Sequence, residues 1–410
     1  MKVSPTTQGF IDQAEAHGAR NYAPLPVVLT RGEGCFVWDV EGRRYFDFLS
    51  AYSALNQGHN HPAIVEALTA QARTLALTSR AFHNDRMGAM LARVSAVTGF
   101  ARVLPMNSGA EAVETALKCM RRWGYEKRGI PDNEGRVIVA EGNFHGRTTT
   151  MVSLSTDPSS YGHYGPLTPG FVKVPFGDAD ALARAMDDRT VGVLIEPIQG
   201  EAGVVIPPEG YLSKVREKCT RAGVALTFDE IQTGLGRTGK MFAWQHEDAR
   251  PDAITLGKAL SGGLYPVSAF CADDWLMDVF TPGTHGSTYG GNPLAAAVAV
   301  AALDVIEREG LAARAAALGA RALARLRAEV TGPNVREVRG RGMLLAVEFR
   351  GACAHDACEA LAEVGVLAKD THGTTVRLAP PLVMTDAQLD EALDLAVPVL
   401  ARFAEAAEGV

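Results

Sequence analysis

The sequence predicts an α/β fold: a large domain on a mainly parallel central sheet flanked by helices, plus a smaller α+β domain. Three observations carry that prediction. Short, continuous apolar runs recur through the middle of the chain, at residues 136–140, 192–195, 223–228 and 253–256. Runs of this kind suit strands buried on both faces of a parallel sheet. Helical patterns alternate with them, as over residues 210–222, where Tyr211, Val215 and Cys219 repeat on one face. The last hundred residues then change character, from alternating units to a long helical composition followed by closely spaced strands.

Taken in order, residues 1–55 form an N-terminal segment whose stretch 34–43 reads as a hairpin; it is expected to pack with the small domain. Residues 56–304 form the large domain. Within it Val103 and Leu104 lead into residues 106–111 (MNSGAE), which open a helix with Val113, Ala116, Leu117 and Met120 on one face. The small domain takes residues 305–410. Residues 294–330, rich in Ala, Leu and Arg, read as helical. Residues 344–349, 365–368 and 375–378 read as strands, and Thr385 with Gln388 forms a capping box opening the final helix.

Composition excludes several functions. The 410 residues suffice for two or three domains, and 47% hydrophobic with 21% charged residues is ordinary for a soluble globular protein. Forty basic against 47 acidic side chains give a net charge of −7, which argues against a nucleic-acid surface. The six cysteines are scattered, as expected of reduced thiols and not of a disulfide framework or zinc site. Residues 1–12 show no secretory pattern, and the longest apolar run, 294–303, is too short to span a bilayer. A cytoplasmic location away from membranes is expected.

Chemistry enters at two strand ends. Asp229 closes residues 224–229 (VALTFD), and Lys258 closes residues 252–258 (DAITLGK). Pyridoxal phosphate needs an amine to bond its aldehyde carbon and a carboxylate to keep its ring nitrogen protonated. Alone, each has a plainer explanation: a solvated lysine, and a capping acid at a turn. The reading therefore needs the cofactor's other contacts. Ser108, Gly109 and Ala110 begin a helix whose free N–H groups suit a phosphate, although a plain N-cap by Asn107 or Ser108 explains them too. Phe144 offers a face for a flat ring, and Arg147 a planar fork for a carboxylate. Glu201, in residues 200–203 (GEAG), and Arg377, in residues 377–381 (RLAPP), place two more charges beside rigid turns.

Two other patterns compete. Residues 234–239 (GLGRTG) match the dinucleotide fingerprint, and 234–240 approach a P-loop, which keeps a nucleotide switch or NTPase open as a different class of function. Yet residues 229–233 intervene after the strand, and Met241 stands where a P-loop needs Ser or Thr. His59 and His61 lack partners at ligand spacing and read as loop or packing histidines, with no metal site.

Longer segments carry a resemblance. Residues 46–59 (FDFLSAYSALNQGH), 77–82 (LTSRAF), 195–203 (IEPIQGEAG), 229–234 (DEIQTG), 256–267 (LGKALSGGLYPV) and 285–293 (HGSTYGGNP) resemble the fold-type I, class III pyridoxal phosphate aminotransferases. Among these, the chain is most similar to the ornithine aminotransferases. The resemblance implies that Lys258 anchors the cofactor and shuttles the proton, and that Asp229 pairs with the ring nitrogen. It further implies Gln232 on the ring hydroxyl, Phe144 stacked on the ring, and Ser108, Gly109 and Ala110 at the phosphate. Thr288 would reach the phosphate of a neighbouring subunit, implying a homodimer with shared active sites; a tetramer of such dimers stays open. Tyr22 and Arg147 would hold the α-amino and α-carboxylate groups of ornithine, turning its δ-amine to the cofactor. Tyr52 belongs to the same selective set. Glu201 would neutralise Arg377 until glutamate or 2-oxoglutarate brings a second carboxylate. One departure stands out: His145 occupies a position where animal ornithine aminotransferases carry tryptophan. Phe-His-Gly-Arg also occurs in acetylornithine aminotransferases, the alternative within the class.

Overall fold

A computed structural model describes residues 3–406; the outermost positions of the expected end segments, 1–2 and 407–410, lie outside the described residues. The first fifty residues carry β1 (Leu29–Glu33), β2 (Phe36–Asp39) and β3 (Arg44–Asp47). The middle carries β4 (Arg102–Met106), β5 (Arg136–Ala140), β6 (Phe171–Val174), β7 (Thr190–Ile195), β8 (Ala225–Asp229), β9 (Ala253–Leu256) and β10 (Ser268–Ala272). The last part carries β11 (Val335–Arg341), β12 (Leu344–Phe349), β13 (Val366–Leu367), β14 (Lys369–Thr371) and β15 (Thr375–Leu378).

The central sheet has seven strands in the order β4-β10-β9-β8-β7-β5-β6. Neighbours from β9 through β6 are parallel, and only β10 runs against the rest, pairing antiparallel with both β4 and β9. This is the mainly parallel α/β sheet that the apolar runs imply. Its strands alternate between two buried faces. Val137, Val139, Leu194 and Phe270 pack with Val113, Leu117 and Met120 of helix Gly109–Lys127. Ile138, Val193, Ile195 and Phe228 face the opposite way, toward Leu212 and Val215 of helix Tyr211–Ala222. Burying each such side chain contributes about 1.5–3 kcal/mol, so both faces are needed to hold the sheet.

Two smaller sheets complete the fold. The C-terminal one is antiparallel, in the order β11-β12-β15-β14. In the other, β1, β2 and β3 form an antiparallel meander, and β13 adds alongside β3 in parallel, Val366 opposite Phe46. The N-terminal segment thus shares a sheet with a strand from near the end of the chain.

The helical stretch 294–330 divides into two helices, Pro293–Arg308 and Leu311–Glu329. Gly310 lies between them at φ 61°, a left-handed conformation that ends one helix and that glycine adopts without a Cβ penalty. Composition alone did not mark that break.

The glycine-rich stretch 234–240 is a series of turns and bends. Its centre is Arg237, fully buried, which donates to the carbonyls of Met343 at 2.9 Å and Pro380 at 2.6 Å and to Asn56 Oδ1. The loop wraps an arginine that ties three distant segments together. His59 and His61 pair with Asp47 at 2.7 Å and Glu309 at 3.0 Å.

Candidate active site

The carboxyl ends of the parallel strands converge on one edge, where open α/β sheets place their ligands. Beyond β4 comes the turn to Ser108; beyond β5, residues 141–147; beyond β7, residues 196–203. Asp229 is the last residue of β8, and Lys258 follows β9 by two. A cavity of about 210 Å³ opens there, lined among others by Gly109, Ala110, Phe144, Asp229, Gln232 and Lys258. Gly109 and Lys258 share this cavity although 149 positions separate them in sequence, because only β10 stands between β4 and β9 in the sheet.

Each local geometry has a cause. Ser108 caps helix Gly109–Lys127: its side chain accepts from Glu111 N at 3.2 Å, while Glu111 reaches back to Ser108 N at 2.7 Å. That box fixes the first turn and leaves the N–H groups of Gly109 and Ala110 turned to the cavity end of the helix. Asp229 is held rigidly. Its Oδ1 accepts from Ile231 N at 3.1 Å and Thr255 Oγ1 at 3.0 Å, and its Oδ2 lies 2.7 Å from His145 Nδ1. Lys258 sits at φ 45°, an uncommon conformation for a residue with a side chain. Its residual surface faces the cavity, but its amine lies deep in protein. Burial lowers its pKa from the usual lysine range, opposed in part by the charges of Glu201, Asp229 and Glu196. A larger neutral fraction makes the amine a better nucleophile.

The acids behind the cavity are buried too. Desolvation pushes the Glu196 carboxyl up to about 7; His145 pulls it down and Asp229 adds to the rise. Burial works against protonating His145, yet its bond to Asp229 and the charges of Asp229 and Glu196 prevail and raise its pKa. These residues fit pyridoxal phosphate: N–H groups at a helix start for the phosphate, Phe144 and Ile231 as apolar wall, a buried carboxylate for the ring nitrogen, and an amine.

A second set of side chains lies beside the cavity. Arg377 on β15 is 5% exposed, with Glu201 Oε1 at 2.8 Å from its Nη1. The contact is close but badly angled, and Arg377 Nε and Nη1 have no hydrogen-bond partner among the described residues. The Arg377 guanidinium stands 5.2 Å from the Tyr52 ring centre. Tyr52 gets there on an unusual turn: Ser50, Ala51, Tyr52 and Ser53 all have positive φ, from 46° to 71°. Left-handed backbone costs an L-residue about 1–2 kcal/mol. Asp47 offsets some of that by accepting from the N–H of Leu49 at 2.9 Å and Ser50 at 2.8 Å.

Other expected residues lie further out. Arg147 is exposed, its guanidinium 5.6 Å from the Phe144 ring. Tyr22 is 75% exposed and lines a neighbouring pocket with Tyr52. Thr288 is exposed and outside the cavity of its own chain. The residues that sequence reasoning did not assign are His145, Glu196 and Ile231, all in the cavity wall. His145 adjoins Phe144 and Glu196 directly follows β7, so strand-end position was the available signal.

Comparison with known proteins shows the family. The family model for class-III aminotransferases matches residues 17–400. An ornithine aminotransferase from Brevibacillus brevis is 52% identical, over 96% of this chain and 98% of its own. The crystal structure of the ornithine aminotransferase from Toxoplasma gondii superposes with a TM-score of 0.96 at 44% identity, covering 97% of this chain and 96% of that one. The acetylornithine aminotransferase from Elizabethkingia anophelis gives a TM-score of 0.86 at 48% identity, covering 97% and 98%.

Proposed function

The chain belongs to the class-III aminotransferases, and on that footing we propose that it transfers the δ-amino group of L-ornithine to 2-oxoglutarate, giving glutamate-5-semialdehyde and glutamate. Bound in the cavity, pyridoxal phosphate supplies an electron sink and a carbonyl carbon that carries nitrogen from one substrate to the other. Lys258 anchors it, then takes and returns the substrate proton at Nζ. Asp229 holds the ring nitrogen's charge, Gln232 binds the ring hydroxyl, Phe144 covers one face, and Ser108, Gly109 and Ala110 grip the phosphate.

The observation that carries the reading is the buried, half-satisfied guanidinium of Arg377 under Glu201. A buried arginine whose N–H groups lack aligned acceptors is ready for a carboxylate, and a movable acid keeps it neutral until one comes. Ornithine has one carboxylate, which Arg147 takes while Tyr22 receives the α-amine; this turns the δ-amine inward. Glutamate has two, so it displaces Glu201, with Arg377 on its α-carboxylate and Arg147 on the distal one. Tyr52 shapes the Arg377 side. One site thus serves two substrates in turn.

Thr288, exposed on its own chain, suits a homodimer in which it completes the partner's phosphate site. Six free cysteines, five of them buried, suit the reducing cytoplasm. We also keep the division at residues 55 and 304 as the working domain boundaries. Acetylornithine is the competing donor. It lacks the charged α-amine that Tyr22 is assigned to receive, so ornithine should lead by at least about tenfold in kcat/KM when both are measured side by side. A strong preference for acetylornithine refutes the ornithine reading.

A further inference from the structure

We propose that Arg339 positions Glu201 over Arg377 by gripping the backbone of the turn that carries Glu201, and thereby sets how readily the site accepts a second carboxylate. This rests on the Glu201 switch of the reading above. In the C-terminal sheet, Arg339 of β11 lies opposite Ala346 of β12, and Ala346 lies opposite Arg377 of β15. Residues directly opposite each other point to one face, so the two arginines stand in one row, two strand spacings or roughly 10 Å apart. Both reach the same turn. Arg377 meets the side chain of Glu201. Arg339 meets the turn's backbone two and three residues further on: Nη2 donates to Gly203 O at 2.7 Å, and Nε to Gly203 O at 3.0 Å and Val204 O at 3.1 Å.

Arg339 is itself fixed. It is 7% exposed and paired with Glu337 at 2.9 Å and with Glu348. Gly203 adopts φ +107°, where a side chain is strained, and a Cβ there would stand 3.2 Å from Arg339 Nη2, so alanine would both strain the turn and crowd the guanidinium. The turn is also held by a bridge between Gln199 and Val205, by the N–H groups of Gly203 and Val204 donating to Gly200 O at 3.1 Å, and by the Thr371 hydroxyl donating to Glu201 O at 2.9 Å. The ion pair between Arg377 and Glu201 is close but unaligned. Side-chain bonding therefore does not lock Glu201 in place; the position of its backbone does. Whatever loosens that backbone raises the fraction of time that Arg377 is open. Apparent carboxylate affinity follows that fraction.

The test uses the pyridoxal phosphate holoenzyme and glutarate, a dicarboxylate that cannot react, with binding read from the cofactor's absorption. Glu201→Ala and Arg339→Gln should each tighten glutarate by about fivefold or more, within the usual size of a coupling between sites. The double variant should bind no tighter than Glu201→Ala alone, because Arg339 acts through Glu201. Arg339→Lys, which keeps the charge but not the fork, should fall between wild type and Arg339→Gln. Gly203→Ala, which pushes the guanidinium away, should mimic Arg339→Gln and serves if that variant does not fold. Weaker or unchanged glutarate binding in both Arg339→Gln and Gly203→Ala overturns the proposal, as do effects that multiply in the double variant. No change in Glu201→Ala overturns the switch and this proposal together. Failure of the wild type to use ornithine overturns only the substrate, since glutarate still reports on Arg339.

Discussion

Replacing Lys258 with alanine is expected to lower turnover by about 10²–10⁴-fold, the range that a positioned acid–base group supplies, and further through loss of the covalent anchor. The amine has no substitute nearby. Glu196 and Asp229 are acids, His145 is engaged with Asp229, and Arg377 is a guanidinium paired with Glu201 and not an amine. Binding should survive better than chemistry, because phosphate, ring face and ring nitrogen keep their partners. The variant should therefore still take up pyridoxal phosphate, but lack the absorption of the lysine-bonded form and release the cofactor on dialysis. A variant that keeps that absorption would show another amine doing the work.

Asp229→Asn is the second large effect, about 10²–10³-fold in kcat by analogy with removing one charge-stabilising group from a buried site. The carboxylate accepts from Ile231 N, Thr255 Oγ1 and His145. Asparagine keeps one acceptor oxygen and puts an NH₂ where the other stood. It cannot hold a protonated ring nitrogen opposite a negative charge, so the electron sink weakens while the pocket keeps its shape. The loss should appear in both halves of the exchange alike, with ornithine and with glutamate, and thermal stability should fall as well, because buried His145 loses the carboxylate that favours its charged form. A loss confined to one substrate would place Asp229 with the selective residues instead.

Those two effects differ in kind from changes at Glu201 or Arg339, which are expected to shift one substrate against the other. The difference follows from position. Asp229 and Lys258 end strands of the central sheet, whereas Arg377 and Arg339 belong to the C-terminal sheet and approach the cavity from outside it.

The central strands were legible because burial on both faces writes them as unbroken apolar runs. β7 and β8 have no exposed position at all. β10, Ser268–Ala272, was not read from the sequence, since its small residues differ little from those of a loop or helix, and neither was its reversed direction. Asp229 and Lys258 were legible as charges closing apolar strands. His145 was not, because what gives it meaning is a contact across 84 residues. Arg339 was hidden for a similar reason: its kinship with Arg377 is a cross-strand register, absent until β11, β12 and β15 are paired. Tyr22 and Thr288 entered only through the resemblance, and both are exposed.

The central claim is that charge placement, and not the cofactor, decides which nitrogen of ornithine is transferred. Ornithine isotopically labelled at its δ-nitrogen, incubated with the holoenzyme and 2-oxoglutarate, tests this most directly. The account predicts labelled glutamate together with glutamate-5-semialdehyde, trapped as it forms. Unlabelled glutamate, with the label retained in a 2-oxo acid product, would contradict it.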